Sequence, residues 1–203
     1  MALIKSEDWA AFRVLLRRVG FWSAVRMAWQ IEMRKKRGQP FHDLEPATDD
    51  KERASREQIG SAILLYQALK NSKFAAAARE ITADVIEASA HVFLKNLIGP
   101  LARDELIQLD EPEKRNFLSS RLDKIPNAVT QIDQVGEETV QFTVNRCHFV
   151  GLCARTGVPE LSTLFCAVDE SYFGHVEPGA KLERPSTIAS GDDRCVFILD
   201  FTE

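Results

Sequence analysis

Apolar residues recur at three- and four-residue spacing through the first half of the chain, and at two-residue spacing in two later stretches. Ser6-Glu7-Asp8 is an acidic helix start, after which Phe12, Leu15, Leu16, Val19 and Trp22 fall on one helical face. Ala24, Met27, Ala28 and Ile31 continue the pattern to Lys36, with Gly20 placed to kink or divide the helix and Gly38 and Pro40 placed to stop it. The pattern predicts docking of this front helix through Phe12, Leu16, Val19 and Trp22, on its own domain or on a second copy of the chain. A polar linker with Pro46 follows over 41–50. Ile59, Ala62, Ile63, Tyr66 and Leu69 then form a second stripe, interrupted at Asn71-Ser72. Ala78, Ile81, Val85, Ala88 and Val92 predict a helix over about 74–97 that ends at Gly99-Pro100, and a shorter one is expected over about 112–122.

The period changes after Pro126. Residues 129–135 and 139–146 alternate around a Gly136-Glu137 turn, which reads as an antiparallel hairpin. Helices are expected over 148–156 and 159–175, separated by Gly157, with Pro159-Glu160 opening the second. After a turn at Glu177-Pro178-Gly179, residues 181–189 and 195–201 read as a second strand pair joined by Gly191-Asp192-Asp193. The predicted class is α+β: N-terminal helices packed on a C-terminal antiparallel sheet of about four strands, the latter part in ββααββ order. The expected organisation is a helical extension over 1–40 and one α+β domain over 41–203.

Composition narrows the class. The 203 residues are 45% hydrophobic and 28% charged, as in an ordinary soluble domain. A net charge of −4 argues against a nucleic-acid partner. The front is the exception, with Arg34-Lys35-Lys36-Arg37 closing a basic, Trp-rich segment. That run reads either as the solvated end of a helix, where cations suit the dipole, or as a patch for an anionic surface. Arg17-Arg18 directly after Leu15-Leu16 breaks any secretory apolar region, and no run approaches the roughly 18 apolar residues of a membrane span. Four cysteines without a signal peptide point to reduced thiols in the cytoplasm.

All four cysteines (Cys147, Cys153, Cys166, Cys195) lie in the last third of the chain, two of the four histidines (His148, His175) with them. Cys153 lies on an apolar helix face and reads as core. Cys166 and Asp169 are three apart on a helix and share a face. Cys147 ends a strand and Cys195 begins one, positions where a side chain is held rigidly yet can meet solvent. Three thiols and a carboxylate gathered there would support a thiolate nucleophile served by Asp169 or His148, or a tetrahedral metal site. No close Cys-x2-Cys pair is present, so the spacing is not a zinc signature, and no cofactor is specified. The remaining reading is that these cysteines are small buried hydrophobes. His91, among Ala and Val, reads as packed or solvated.

Arg146-Cys147, Gly157-Val158-Pro159-Glu160-Leu161, Phe165-Cys166 with Asp169, and Thr187 through Phe197 together resemble the L-2-amino-thiazoline-4-carboxylic acid hydrolase family. The likeness covers about the last sixty residues. The closing Gly-Asp-x-x-Cys-x-Phe also resembles four-vinyl-reductase type small-ligand domains. The acid and cysteine that bind zinc in that group fall here near Arg184 and Thr187, so its metal site is not reproduced. The resemblance implies ring opening of a cyclic amidine-like substrate by water, giving a carbamoyl-cysteine. Cys147 or Cys166 would attack, or Asp169 would activate water, with Cys195 in the same cluster, His148 as acid, and Arg146 or Arg184 holding the substrate carboxylate. A small-molecule sensor or scaffold without catalysis is the competing reading, and a membrane-peripheral protein a third. An exposed thiol of low pKa separates the first two, because only a cysteine hydrolase needs one.

Overall fold

The computed structural model describes residues 5–99, 106, 108–176 and 180–201; Pro100 and the expected turn Glu177-Pro178-Gly179 lie outside them. Gly20 divides the front into α1 (Ser6–Val19) and α2 (Phe21–Lys35). Its φ of +79° is open to glycine and strained for other residues, and its N–H closes α1 on Leu16 O at 3.0 Å. The break resets the helical phase. Val14, Leu15 and Val19 are buried and Phe12 and Leu16 pack at the edge of the core, but Trp22 is 82% exposed. Trp22 therefore does not dock on its own domain; α2 buries Ala24, Met27 and Ile31 there instead.

The side chain of Asp49 starts α3 (Asp50–Lys70) by accepting the Glu52 N–H at 2.6 Å. Its Ile59, Ile63, Leu64 and Leu69 are wholly buried. A 3-10 turn at Ala75–Ala77 leads into α4 (Ala78–Ile98). Helix α5 (Glu111–Leu122) opens on a reciprocal cap in which Asp110 and Glu113 bond each other's backbone, with Pro112 in the first turn.

Four strands, β1 (Ala128–Val135), β2 (Thr139–Cys147), β3 (Lys181–Ser186) and β4 (Cys195–Asp200), form one antiparallel sheet in the order β1-β2-β4-β3. Between β2 and β3 come α6 (His148–Arg155) and α7 (Ser162–His175). Alternation sets the inner face: Val140, Phe142 and Val144 of β2 sit opposite Leu199, Phe197 and Cys195 of β4. Phe142 and Phe197 stack at 4.8 Å. Lys114 of α5 reaches Gly136 O and Glu137 O at 3.0 and 3.1 Å, so a buried ammonium holds the β1–β2 turn.

The core is divided in two. One cluster joins α1–α4 to Phe149, Leu152 and Cys153 of α6 and Leu164 and Val168 of α7. The other joins the inner face of the sheet to Leu118 and Leu122 of α5. Cys147, at the end of β2, touches both. The first four helices are thus joined to the sheet mainly through α6 and α7, with α7 against β3 and α5 against β1. The expected helix over 159–175 starts with a 3-10 turn, Pro159–Leu161, and the expected strand over 181–189 stops at Ser186. Among the described residues no helix is long and apolar enough to cross a membrane.

Candidate functional site

The junction of α7 with the β3–β4 connection carries most of the chemistry read from the sequence. Thr163, Cys166, Ala167 and Glu170 follow one face of α7 at helical spacing and form one wall of a cleft of about 390 Å³. Arg184 to Thr187, Ser190 and Asp192 lie opposite. That second wall is a compact turn. The Thr187 hydroxyl accepts the Ser190 N–H at 3.2 Å, and Asp192 Oδ2 accepts the Thr187 N–H at 2.8 Å. Gly191, at φ +102°, lets the chain double back. Cys195 Sγ accepts the Ile188 N–H at 3.2 Å from beneath. The Thr-Ile-Ala-Ser-Gly-Asp run therefore specifies a backbone shape, and Cys195 is built into it.

Arg184 is the hub. Only 6% of its side chain is exposed, and its Cζ lies 5.7 Å from the centre of the Phe197 ring. Its Nη1 donates to Cys166 O at 2.8 Å and Asp169 Oδ2 at 3.1 Å, and Nη2 donates to Glu170 Oε1 at 2.9 Å. Its Nε is buried without a hydrogen-bond partner. A rigid fork that bonds two carboxylates and a carbonyl fixes α7 against β3.

Burial pushes the Asp169 carboxyl up to about 6, against the pull of Arg184. Asp169 is not among the residues that line the cleft, but it bonds Arg184, which does, and 31% of its side chain is open to solvent. Burial pushes the Cys166 thiol up to about 12, with Asp169, Cys147 and Cys195 adding to the shift. Cys195 is raised by burial, and there Cys147 and Asp169 add to the shift. Cys147 and Asp169 thus each act electrostatically on both Cys166 and Cys195, although of these four only Cys166 lines the cleft. Cys153 is buried and pushed up to about 12 by desolvation. Among the described residues no three His, Cys, Asp or Glu side chains are grouped to hold a metal ion.

Arg146 and His148 point elsewhere. They flank Cys147 in sequence, and both sit with Asp49 at the start of α3: Arg146 Nη1 lies 3.7 Å from Asp49 Oδ2, and His148 Nε2 3.5 Å from Asp49 Oδ1. Only 3% of the His148 side chain is exposed, its Nε2 has no hydrogen bond, and burial lowers its pKa. Nearby, Glu52 accepts from Thr48, Arg56 and Arg155. Burial raises its carboxyl, but those bonds outweigh it and hold Glu52 far below the usual range. His91 bonds Ser171 Oγ at 2.7 Å, a packed histidine. His175 Nδ1 pairs with Ser171 O at 3.0 Å.

Sequence reasoning did not single out Glu170, Ser190 or Asp192. Glu170 was within reach of it, four residues after Cys166 on the same helix. Ser190 and Asp192 come to the cleft only through the turn that follows β3.

No curated protein and no solved structure matches the chain. The family described as L-2-amino-thiazoline-4-carboxylic acid hydrolase matches residues 53–199, from the first turn of α3 through β4. That span takes in the cleft, the Arg184 hub and most of both cores, and on it the chain belongs to the L-2-amino-thiazoline-4-carboxylic acid hydrolase family.

Proposed function

We propose that this chain is a hydrolase that opens a cyclic amidine ring of the 2-aminothiazoline-4-carboxylate type, with Asp169 as general base for water. The observation that carries this reading is the Asp169–Arg184 pair at 3.1 Å beside the Cys166 cleft. A carboxyl raised toward neutrality is matched to taking a proton from water near pH 7. Water oxygen bonds to the ring carbon between N and S as Asp169 takes its proton. The carbon–sulfur ring bond then breaks, the two protons of the water end on the ring nitrogen and the sulfur, and the attacked carbon becomes the carbonyl of a carbamoyl-cysteine.

Cys166 lines the space the ring would occupy, but a thiol pushed up to about 12 is a poor nucleophile at neutral pH. Cys195 keeps the turn in shape through Ile188, and Cys147 packs between the two cores. Arg184 would meet the substrate carboxylate through Nη2. Glu170, 62% exposed, is the partner that the substrate would displace there. Arg146 and His148, grouped with Asp49, are assigned to holding the start of α3. The four unpaired cysteines suit a reducing cytoplasm. The family match begins at residue 53, after α2, which supports an extension over 1–40 packed on a single α+β domain over 41–203.

The raised thiols of Cys166 and Cys195 favour one other reading, a binding domain that holds a small ligand without turning it over. The test is incubation with 2-aminothiazoline-4-carboxylate in ¹⁸O-water. Labelled carbamoyl-cysteine with no mass added to the protein supports hydrolysis by Asp169-activated water. A covalent protein adduct would move the nucleophile to a cysteine, and saturable binding without product would favour the binding domain.

A further inference from the structure

Helix α2 is apolar on both sides. Ala24, Met27 and Ile31 face the core, while Trp22, Val25 and Trp29 follow the opposite face at helical spacing, 82%, 40% and 63% exposed. Phe21 adds 57% at the start of α2, and Trp9 on α1 is 52% exposed. All three tryptophans of the chain are therefore at the surface of the first two helices. A helix in a soluble domain ordinarily shows water a polar face.

The charge around these rings says what covers them. From Lys5 to Arg37 the sequence holds nine basic and three acidic residues, although the whole chain stands at −4, so the remainder is strongly acidic. Arg18 is tied to Glu80 and Asp84, and Lys35 to Glu32. Arg13, Arg17, Arg26, Lys36 and Arg37 are exposed and form no ion pair among the described residues. A two-fold dimer through this face would set like charges of two copies against each other. A surface that is apolar within, flat and anionic outside satisfies both features. Indole rings settle at the headgroup boundary, and arginine and lysine reach anionic phosphates. The acidic remainder is repelled, so α1 and α2 are the part of the molecule that meets such a surface.

We infer that α1 and α2 form a docking surface for anionic lipid membranes, with Trp22 and Trp29 entering the interface and Arg17, Arg26, Lys36 and Arg37 meeting headgroups. Docking is peripheral and reversible, and it is independent of the hydrolase reading because the cleft takes no part. The tryptophans make the test direct, since intrinsic fluorescence reports on these two helices alone. With vesicles of phosphatidylcholine containing a quarter phosphatidylglycerol, the emission shifts to the blue and the protein sediments with the vesicles. Raising salt from about 0.1 to about 1 M shortens the screening length from about 10 to about 3 Å and weakens the binding. Trp22→Ala with Trp29→Ala lowers vesicle affinity by about tenfold or more at an unchanged melting temperature. Arg17→Glu with Arg26→Glu does the same while leaving both rings in place. No binding to the anionic vesicles, or equal binding to pure phosphatidylcholine, would overturn the inference. So would a concentration-dependent dimer that dissociates in the Trp22→Ala, Trp29→Ala variant, since the covering surface would then be a second copy.

Discussion

Replacing Arg184 by methionine removes the hub of the α7–β3 junction while keeping an unbranched chain against Phe197. Three bonds are lost. The one to Glu170 ends at a side chain 62% exposed and contributes about 0–1 kcal/mol. The bonds to Cys166 O and to Asp169, the latter 31% exposed, each sit near the low end of the charge-assisted range, about 1.5 kcal/mol. Against this, Arg184 Nε is already buried without a partner, and losing it returns about 1 kcal/mol. The net expectation is a destabilisation of roughly 2–3 kcal/mol, or about 5–10 °C in melting temperature for a chain of this size. The same change takes away the cation that pulls the Asp169 carboxyl down, so its pKa climbs further above its present value of about 6. The acid limb of the kcat/KM profile should then move to higher pH. Differential scanning fluorimetry and a pH series on the two proteins read both effects. A melting temperature within about 1 °C of the parent and an unmoved acid limb would refute the reasoning.

Glu170→Gln frees Arg184 Nη2 for a substrate carboxylate, so KM for such a substrate should fall about threefold or more with kcat unchanged; a rise in KM would contradict it. Glu52→Ala leaves Arg56 and Arg155 facing each other without their shared anion, and urea unfolding should show a loss of about 3 kcal/mol or more. His148 is held below its ordinary pKa of 6.5 by burial, opposed by Asp49 and Glu52 and aided by Arg146 and Arg155. Between its folded pKa and 6.5 the unfolded chain binds more protons, so its contribution is present above pH 6.5 and is lost as pH falls through the folded value. The urea midpoint of His148→Phe should fall less than that of the parent between about pH 7 and about pH 5.5, and equal slopes would remove His148 as the cause.

Much of the fold was legible because its signals are local. The alternation in 129–135 and 139–146 gives β1 and β2, and the Asp110, Pro112 and Glu113 pattern marks α5. What local pattern did not carry was which surfaces meet. Trp22 shares the heptad-like spacing of Val19, yet Gly20 turns the chain between them and leaves the ring in water. The division into two cores is invisible for the same reason, since α7 carries apolar residues on more than one side, Leu164 and Val168 in one core and Phe173 against the other. At the site, helix spacing put Cys166 and Asp169 on one turn of α7, but of Cys147, Cys166, Cys195 and Asp169, expected around one pocket, only Cys166 lines the cleft. The role of Arg184 in tying Cys166, Asp169 and Glu170 to β3, and the placing of Arg146 and His148 beside Asp49, depend on contacts between distant segments that local pattern does not carry.

The central claim is that Asp169, not a thiolate, activates the nucleophile. Its most direct measurement is steady-state turnover of 2-aminothiazoline-4-carboxylate by the parent, Asp169→Asn and Cys166→Ala. The account predicts that Asp169→Asn loses about 10²–10⁴ in kcat with the fold intact, while Cys166→Ala stays within about tenfold. Turnover retained in Asp169→Asn and abolished in Cys166→Ala would contradict it.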